Sequence, residues 1–285
     1  MSAEASRPPP PEVTALVAAL RERFGAAFAG ALYYGSCRRQ AEPEGVLDLH
    51  VLVHDLDAAL GRTQAALGRL LPPNVYYLEV REGDATVRCK YAVMSLRQFR
   101  RGCSRAAFHS YFWARYAQPL TLVGAADPEP LIASLVDAVE TMAWRAWPRL
   151  GGAADAAGFW LGALRLSYSA ELRPEGRDRP GELVAADPAY FEATGAAVLA
   201  GRDALPTNGV AARLDWGARI AWGKLLSLLR LIKGLATFDG GLDYLAWKLE
   251  RHTGRPIEIP ERARRWPLVY LWPLVWRHWR QGTFR

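Results

Sequence analysis

Two short stretches carry residue types that could do chemistry together. The apolar run Ala31-Leu32-Tyr33-Tyr34 ends in Gly35-Ser36, and after a loop Val46-Leu47-Asp48-Leu49-His50-Val51-Leu52-Val53 holds a carboxylate inside a second apolar run. A glycine lets the chain turn sharply and bring bare backbone N–H groups against a phosphate, and the Ser36 hydroxyl adds a donor. Asp48, on a strand beside that turn, would grip a Mg2+ bridging the same phosphates, because a hard cation takes oxygen ligands and keeps much of its water. Two strands would then carry one metal–nucleotide site. Without that chemistry, Gly35 is a loop residue and Asp48 a solvated strand position.

A lone Asp within an apolar strand is costly to bury unpaired, which favours a ligand role for Asp48. One carboxylate on this strand cannot hold two metals, so either another acid helps or a single Mg2+ suffices. Asp55, at the end of the same strand, and Glu79, on a third, are the available donors. Asp55 could equally cap the following helix, and Glu79 could form a salt bridge at the sheet rim. Lys90 sits mid-strand beside Cys89 and Tyr91, where an ammonium needs an anion; a triphosphate would serve, and a snorkelling surface lysine is the alternative. Arg115 and Arg173 offer guanidinium forks suited to phosphate oxygens. For Arg173 an ion pair with the nearby Glu171 competes with that role.

The elements that must position these residues follow from periodicity. Apolar residues at helical spacing (Val13, Leu16, Val17, Leu20, Phe24, Phe28) predict an amphipathic helix over 13–28 that packs on the sheet. Strands are expected at 31–34 and 46–53, then a helix over 56–71 stopped by Pro72-Pro73. Val75 to Val80 and Thr86 to Met94 read as a strand pair joined by Glu82-Gly83-Asp84. Ser95 is the expected N-cap of a short helix over 96–101. Helices are predicted over 128–147, 159–172, 188–199, 210–235 and 242–252, the first ended by Pro148 and the Gly151-Gly152 break. A mixed α/β head with a helical remainder results.

The 285 residues are 51% hydrophobic and 23% charged, ordinary globular material for one large or two ordinary domains. The first twelve are polar and Pro-rich, expected to form a flexible leader without a secretory apolar region, which argues for a cytoplasmic protein. Cys37, Cys89 and Cys103 are odd in number and lack metal-ligand spacing, so neither a disulfide framework nor a zinc site is indicated. Charge is uneven. From Arg213 to the end there are fourteen Lys or Arg against six Asp or Glu, an excess of eight on a chain whose net charge is +7. Such a tail wants an anionic partner, nucleic acid or a negatively charged membrane surface. Its last stretch holds Arg264, Arg265, Trp266, Trp272, Trp276, Arg277, Trp279 and Arg280 around an apolar core too short to span a bilayer. That mixture places rings at the headgroup level and cations on anionic lipid. The alternative is that the tryptophans dock on the protein's own helical part.

Tyr34-Gly35-Ser36, Leu47-Asp48, Asn74-Val75-Tyr76-Tyr77 and Lys90-Tyr91-Ala92-Val93-Met94-Ser95, in this order, resemble the Tam41-type phosphatidate cytidylyltransferases, the CDP-diacylglycerol synthases of mitochondria and their bacterial relatives. The resemblance continues through Ala114-Arg115, Gln118-Pro119-Leu120, Leu166-Ser167-Tyr168-Ser169-Ala170-Glu171-Leu172-Arg173 and Lys233-Gly234. It implies an α+β fold: a polymerase-β-like nucleotidyltransferase head, a mixed sheet with flanking helices, plus a helical C-terminal domain. The expected division is a leader at 1–12, the nucleotidyltransferase domain at 13–150, a helical domain at 151–260 and a basic aromatic membrane-associating tail at 261–285. The implied reaction makes CDP-diacylglycerol and pyrophosphate from CTP and phosphatidic acid with Mg2+, at the inner face of the cell membrane.

By the same resemblance, Asp48 and Lys90 are catalytic. Gly35, Ser36, Lys90, Arg115, Tyr168, Arg173 and Lys233 contact the nucleotide, and Asp48 with Glu79 or Asp55 holds the metal. Four positions depart from the family: Cys37 replaces a glycine, Gln118 a basic residue, and Ala170-Glu171 the usual Gly-Asp. His50 stands where polymerase-β-type enzymes carry a second Asp. The departures at Cys37, Gln118 and Ala170-Glu171 leave open a changed lipid or nucleotide preference. The same Gly-Ser and Asp48 with a basic tail would also serve a nucleotidyltransferase acting on RNA or another acceptor, and the missing second strand carboxylate leaves open a catalytically silent membrane-binding module.

Overall fold

The computed structural model describes residues 1–39, 45–83, 85–150, 152–153, 155–172 and 178–237. A sheet of five strands forms its centre: β1 (Phe28–Tyr34), β2 (Val46–Val53), β3 (Asn74–Glu82), β4 (Ala85–Ser95) and β5 (Thr121–Val123), in the order β3-β4-β2-β1-β5. β2 and β4 run parallel and every other pair is antiparallel, so the sheet is mixed. Helices α1 (Ser2–Ala5), α2 (Pro11–Phe24), α3 (Leu56–Leu60), α4 (Arg62–Leu70), α5 (Leu96–Cys103), α6 (Trp113–Tyr116), α7 (Glu129–Leu150), α8 (Ala156–Ser169), α9 (Arg179–Ala186), α10 (Pro188–Ala200) and α11 (Gly209–Thr237) complete the α+β fold.

β2 shows why the sheet has two unlike faces. Side chains alternate along a strand, so Leu47, Leu49, Val51 and Val53 all enter the core beneath α2, where Val13, Leu16, Val17, Leu20 and Phe24 meet them. Asp48, His50 and Leu52 point the other way. Leu52 joins a second core that runs from Leu32 and Met94 on the sheet through Trp113, Leu135 and Met142 to Phe159, Trp160, Phe191 and Trp216 of the helices. The apolar packing is therefore continuous from the sheet into the helical part. The second face of β2 grades from the acid at one end to core at the other.

Local chemistry accounts for most boundaries. The helix expected over 13–28 stops at Phe24, because Gly25 adopts φ +51 and a 3-10 turn delivers the chain to β1. The helix expected over 56–71 is two helices, broken where Gly61 adopts φ +73. Ser95 caps α5 through a full capping box with Gln98, satisfying two orphan N–H groups. α7 continues three residues past the expected stop and carries Pro148 within it. The short elements α6, β5 and α9 were not expected. The helix predicted over 242–252 lies outside the described residues.

The first residues are docked, in contrast to the expected flexible leader. Ala5 is buried in the second core, and Glu4 pairs with Arg38, whose side chain is 3% exposed. No helix among the described residues is long and apolar enough to cross a membrane.

Candidate active site

Three strands bring the first site residues into one row. Asp48 is directly opposite Tyr34 on β1 and Lys90 on β4. Lys90 Nζ lies 3.2 Å from Asp48 Oδ1, with both side chains partly exposed, 40% and 27%. An ion pair this wet adds little to stability. It does place a cation and a carboxylate side by side at the rim of a cleft.

Gly35 closes the other side of Asp48. Its φ is +96, and a Cβ there would fall 2.8 Å from Asp48 Oδ2. Glycine is therefore required twice over, by the left-handed backbone and by the close approach. The loop beyond it is anchored by Arg38, which donates to Thr121 Oγ1 at 3.2 Å and Asp187 Oδ2 at 3.2 Å and also pairs with Glu4. Burial lowers the pKa of Arg38, and Asp187 opposes that shift. The residue was not singled out in the sequence, because its partners are 34 and 149 positions away.

The cleft, of about 130 Å3, is lined by Tyr34, Gly35, Ser36, Asp48, Arg115 and Tyr168, with Gln118, Pro119, Arg179 and Leu183 along its far wall. Arg115 reaches it from α6. Its guanidinium lies 5.3 Å from the Tyr34 ring centre and 4.9 Å from that of Tyr111, and Nη2 is 3.8 Å from Glu171 Oε2. Burial opposes its charge, but Tyr111, Tyr34, Glu171 and Asp48 outweigh that and raise its pKa well above the usual value. A fixed cation thus lines the same cleft as Asp48. Arg179, on the first turn of α9, supplies another guanidinium and is held 2.6 Å from Glu182. It too was missed, for want of any periodic or motif signal around it.

His50 lies one step deeper on the same face as Asp48. It is buried, its Nδ1 is hydrogen-bonded to the Tyr116 hydroxyl, and its ring meets Tyr34 edge-on at 4.7 Å. Burial first, and then the charges of Arg115 and Lys90, push its pKa well below the ordinary imidazole value. The position two residues after Asp48 therefore carries a neutral ring. Burial likewise raises the pKa of the Tyr34 hydroxyl, which stays protonated.

Gly35, Ser36, Asp48, Lys90, Arg115 and Tyr168 thus come together, and other candidates do not. Asp55 caps α3, its Oδ1 accepting from the N–H of Asp57 at 2.6 Å and of Ala58 at 3.0 Å. Glu79 lies two strands from Asp48, accepting from Arg88 Nε at 2.9 Å and from the Tyr77 hydroxyl at 2.7 Å. Lys233 projects from α11 onto the turn before β3, where its ammonium donates to Leu71 O, to Pro73 O at 2.6 Å and to Asn74 Oδ1 at 2.8 Å. Arg173 lies outside the described residues, as do Arg264, Arg265, Trp266, Trp272, Trp276, Arg277, Trp279 and Arg280.

Among the described residues no three His, Cys, Asp or Glu side chains cluster to hold a metal by themselves. The donors at the cleft are the Asp48 carboxylate and the Ser36 hydroxyl. Such a set of hard oxygens suits Mg2+, which commonly binds through one or two carboxylates and completes its shell with water and substrate phosphates.

No protein-family model matches the chain. No curated protein matches it either. Among solved structures, the chain is similar to a nucleotidyltransferase-like protein from Exiguobacterium sibiricum 255-15, with 14% identity over 95% of this chain and 91% of that one and a TM-score of 0.26. None of these comparisons adds to the phosphatidate cytidylyltransferase resemblance of the sequence motifs.

Proposed function

We propose that the cleft binds a nucleoside triphosphate with Mg2+ and transfers its nucleotidyl group to an anionic acceptor. The observation that carries this reading is the packing of the Gly35 backbone against the Asp48 carboxylate, with Lys90 beside it and Arg115 lining the same cleft. Backbone N–H groups and the Ser36 hydroxyl would cradle phosphate oxygens. Lys90 and Arg115 would neutralise charge as it shifts onto the leaving pyrophosphate. Asp48 would hold Mg2+, which would supply charge neutralisation at the reacting phosphoryl group.

The finer reading, supported by the sequence motifs, takes CTP as donor and phosphatidic acid as acceptor. An oxygen of the acceptor phosphate attacks the α-phosphorus of CTP, a new P–O bond forms, the bond to the β-phosphate oxygen breaks, and pyrophosphate leaves. The acceptor is already anionic at neutral pH, so the side chains need to position and neutralise rather than to remove a proton. That chemistry matches a cleft lined by Arg115, with Lys90 beside its carboxylate and neutral His50 next to Asp48 on the strand. In this reading the aromatic, basic tail holds the protein at the membrane that carries its acceptor.

Incubating the full chain with Mg2+ and each nucleoside triphosphate, with and without phosphatidic acid, tests both levels. Lipid-dependent pyrophosphate from CTP is expected. Pyrophosphate released only with another acceptor would retain the transfer reaction and reject the lipid, and no Mg2+-dependent binding of any triphosphate would reject the site.

A further inference from the structure

α11 has two unlike faces. On the packed one, Trp216 Nε1 donates to Arg145 O at 2.8 Å, Lys233 fills the turn before β3, and Gly223 lies so close to α8 that a Cβ there would collide with Ala170 O. The other face is apolar and, among the described residues, uncovered. Val210, Leu214, Leu225, Leu228, Leu229 and Ile232 are all exposed, and α11 holds eight of the twelve exposed large apolar side chains among the described residues. At roughly 100° per residue Val210 and Leu228 coincide, Leu214 and Ile232 coincide about 40° further round, and Leu225 and Leu229 fall within about 60° of those. The six therefore form one stripe along the helix. Scattered exposed leucines are ordinary, but a contiguous stripe marks a surface that meets something.

Charge selects the partner. Arg213 and Lys224 are exposed on the same helix. Its sole acid, Asp215, is engaged by Arg219 and lies 3.8 Å from Arg145. The uncovered surface of α11 thus offers apolar side chains and cations with no carboxylate among them. A second copy of the chain would bring the same cations and no acid to meet them. An anionic lipid surface meets both features at once, apolar side chains entering the acyl boundary and cations resting on headgroups.

We infer that the exposed stripe of α11 docks on an anionic bilayer, with the helix lying along the surface. This goes beyond the transfer reaction and is independent of the tail beyond residue 260. Because the packed face of α11 carries Arg230, whose guanidinium sits 4.1 Å from the centre of the Tyr111 ring beside Arg115, the docked helix would stand between the lipid surface and the wall of the cleft.

The test uses the full chain, without nucleotide, and vesicles of phosphatidylcholine alone or mixed with phosphatidylglycerol. Wild type should sediment with the mixed vesicles, less so as salt rises. Leu225→Glu combined with Leu229→Glu, both at exposed positions, should weaken that binding by at least roughly a hundredfold with unchanged elution volume and melting temperature. Arg213→Gln with Lys224→Gln should weaken it by about tenfold or more and flatten its salt dependence. Undiminished binding in the double Glu variant overturns the inference. So does a shift from dimer to monomer, which assigns the stripe to a second copy, or a fall in melting temperature, which assigns it to this chain's own residues after 237.

Discussion

Lys90 and Lys233 both match motif positions read as phosphate contacts, and the fold uses their ammonium groups in opposite ways. Lys90 stands at the open rim of the sheet, half in water, with one carboxylate beside it. Lys233 is 9% exposed and donates to three oxygens at the turn before β3. Its pKa is lowered to about 8 by burial, with Arg230 adding to the effect. An ammonium at a wet rim can exchange its partner for an incoming phosphate at small cost. One already saturated by buried carbonyls cannot, and serves instead to tie α11 to the sheet. Identical side chains thus acquire different work from the dielectric and the acceptors around them.

The largest effect expected belongs to the rim. Asp48→Asn keeps the shape and removes the charge, so nucleotidyl transfer should fall by roughly a thousandfold, while the melting temperature stays near wild type because the lost ion pair is exposed. Near-normal turnover in that variant would move the metal ligand elsewhere. Lys90→Ala sharpens the contrast between the lysines. Triphosphate use should drop by something like ten- to a hundredfold in kcat/KM, with unfolding in urea little changed.

Lys233→Met should do the reverse, leaving three oxygens short of a donor and costing about 2 to 4 kcal/mol of stability, while kcat/KM per folded molecule is kept. If its main loss is in triphosphate KM, the proposed division between rim and buried turn is wrong. The smallest effect concerns His109. Burial first, then Arg230 and Arg219, lower its pKa to about 4. The unfolded chain takes up that proton near pH 6.5 and the folded chain does not, so the contribution of His109 is complete above pH 6.5 and is lost as pH falls toward 4. His50 acts in the same direction. His109→Asn should therefore flatten part of the acid limb of stability against pH, by on the order of 1 kcal/mol. Identical acid limbs in the two proteins would show that His109 protonates freely in the fold.

Residues whose role depends on immediate neighbours were legible in the chain. The alternation of β2 is visible in its letters, and Ser95 with Gln98 spells a capping box. Asp48 beside a Gly-Ser turn was readable for the same reason: a strand partner one short loop away is nearly local. Arg38 was not, since Glu4 and Asp187 reach it from opposite ends of the chain. α6, β5 and α9 are too short to show a period, and two of them place Arg115 and Arg179.

By itself, then, the sequence determined the two faces of the central strands and the amphipathic helices that cover them, because spacing along the chain reports which side of an element is buried; that the sheet is mixed was implied only by the family resemblance. Tertiary structure alone decided which polar side chains share a cleft. Arg115 lies against Tyr34, Glu79 goes to Arg88, and Lys233 goes to the turn before β3. An ionisable group settles where its charge is best compensated, and for these three the compensating atoms are set by strand order and helix packing. One strand position or one helical turn would have given each of them a different partner.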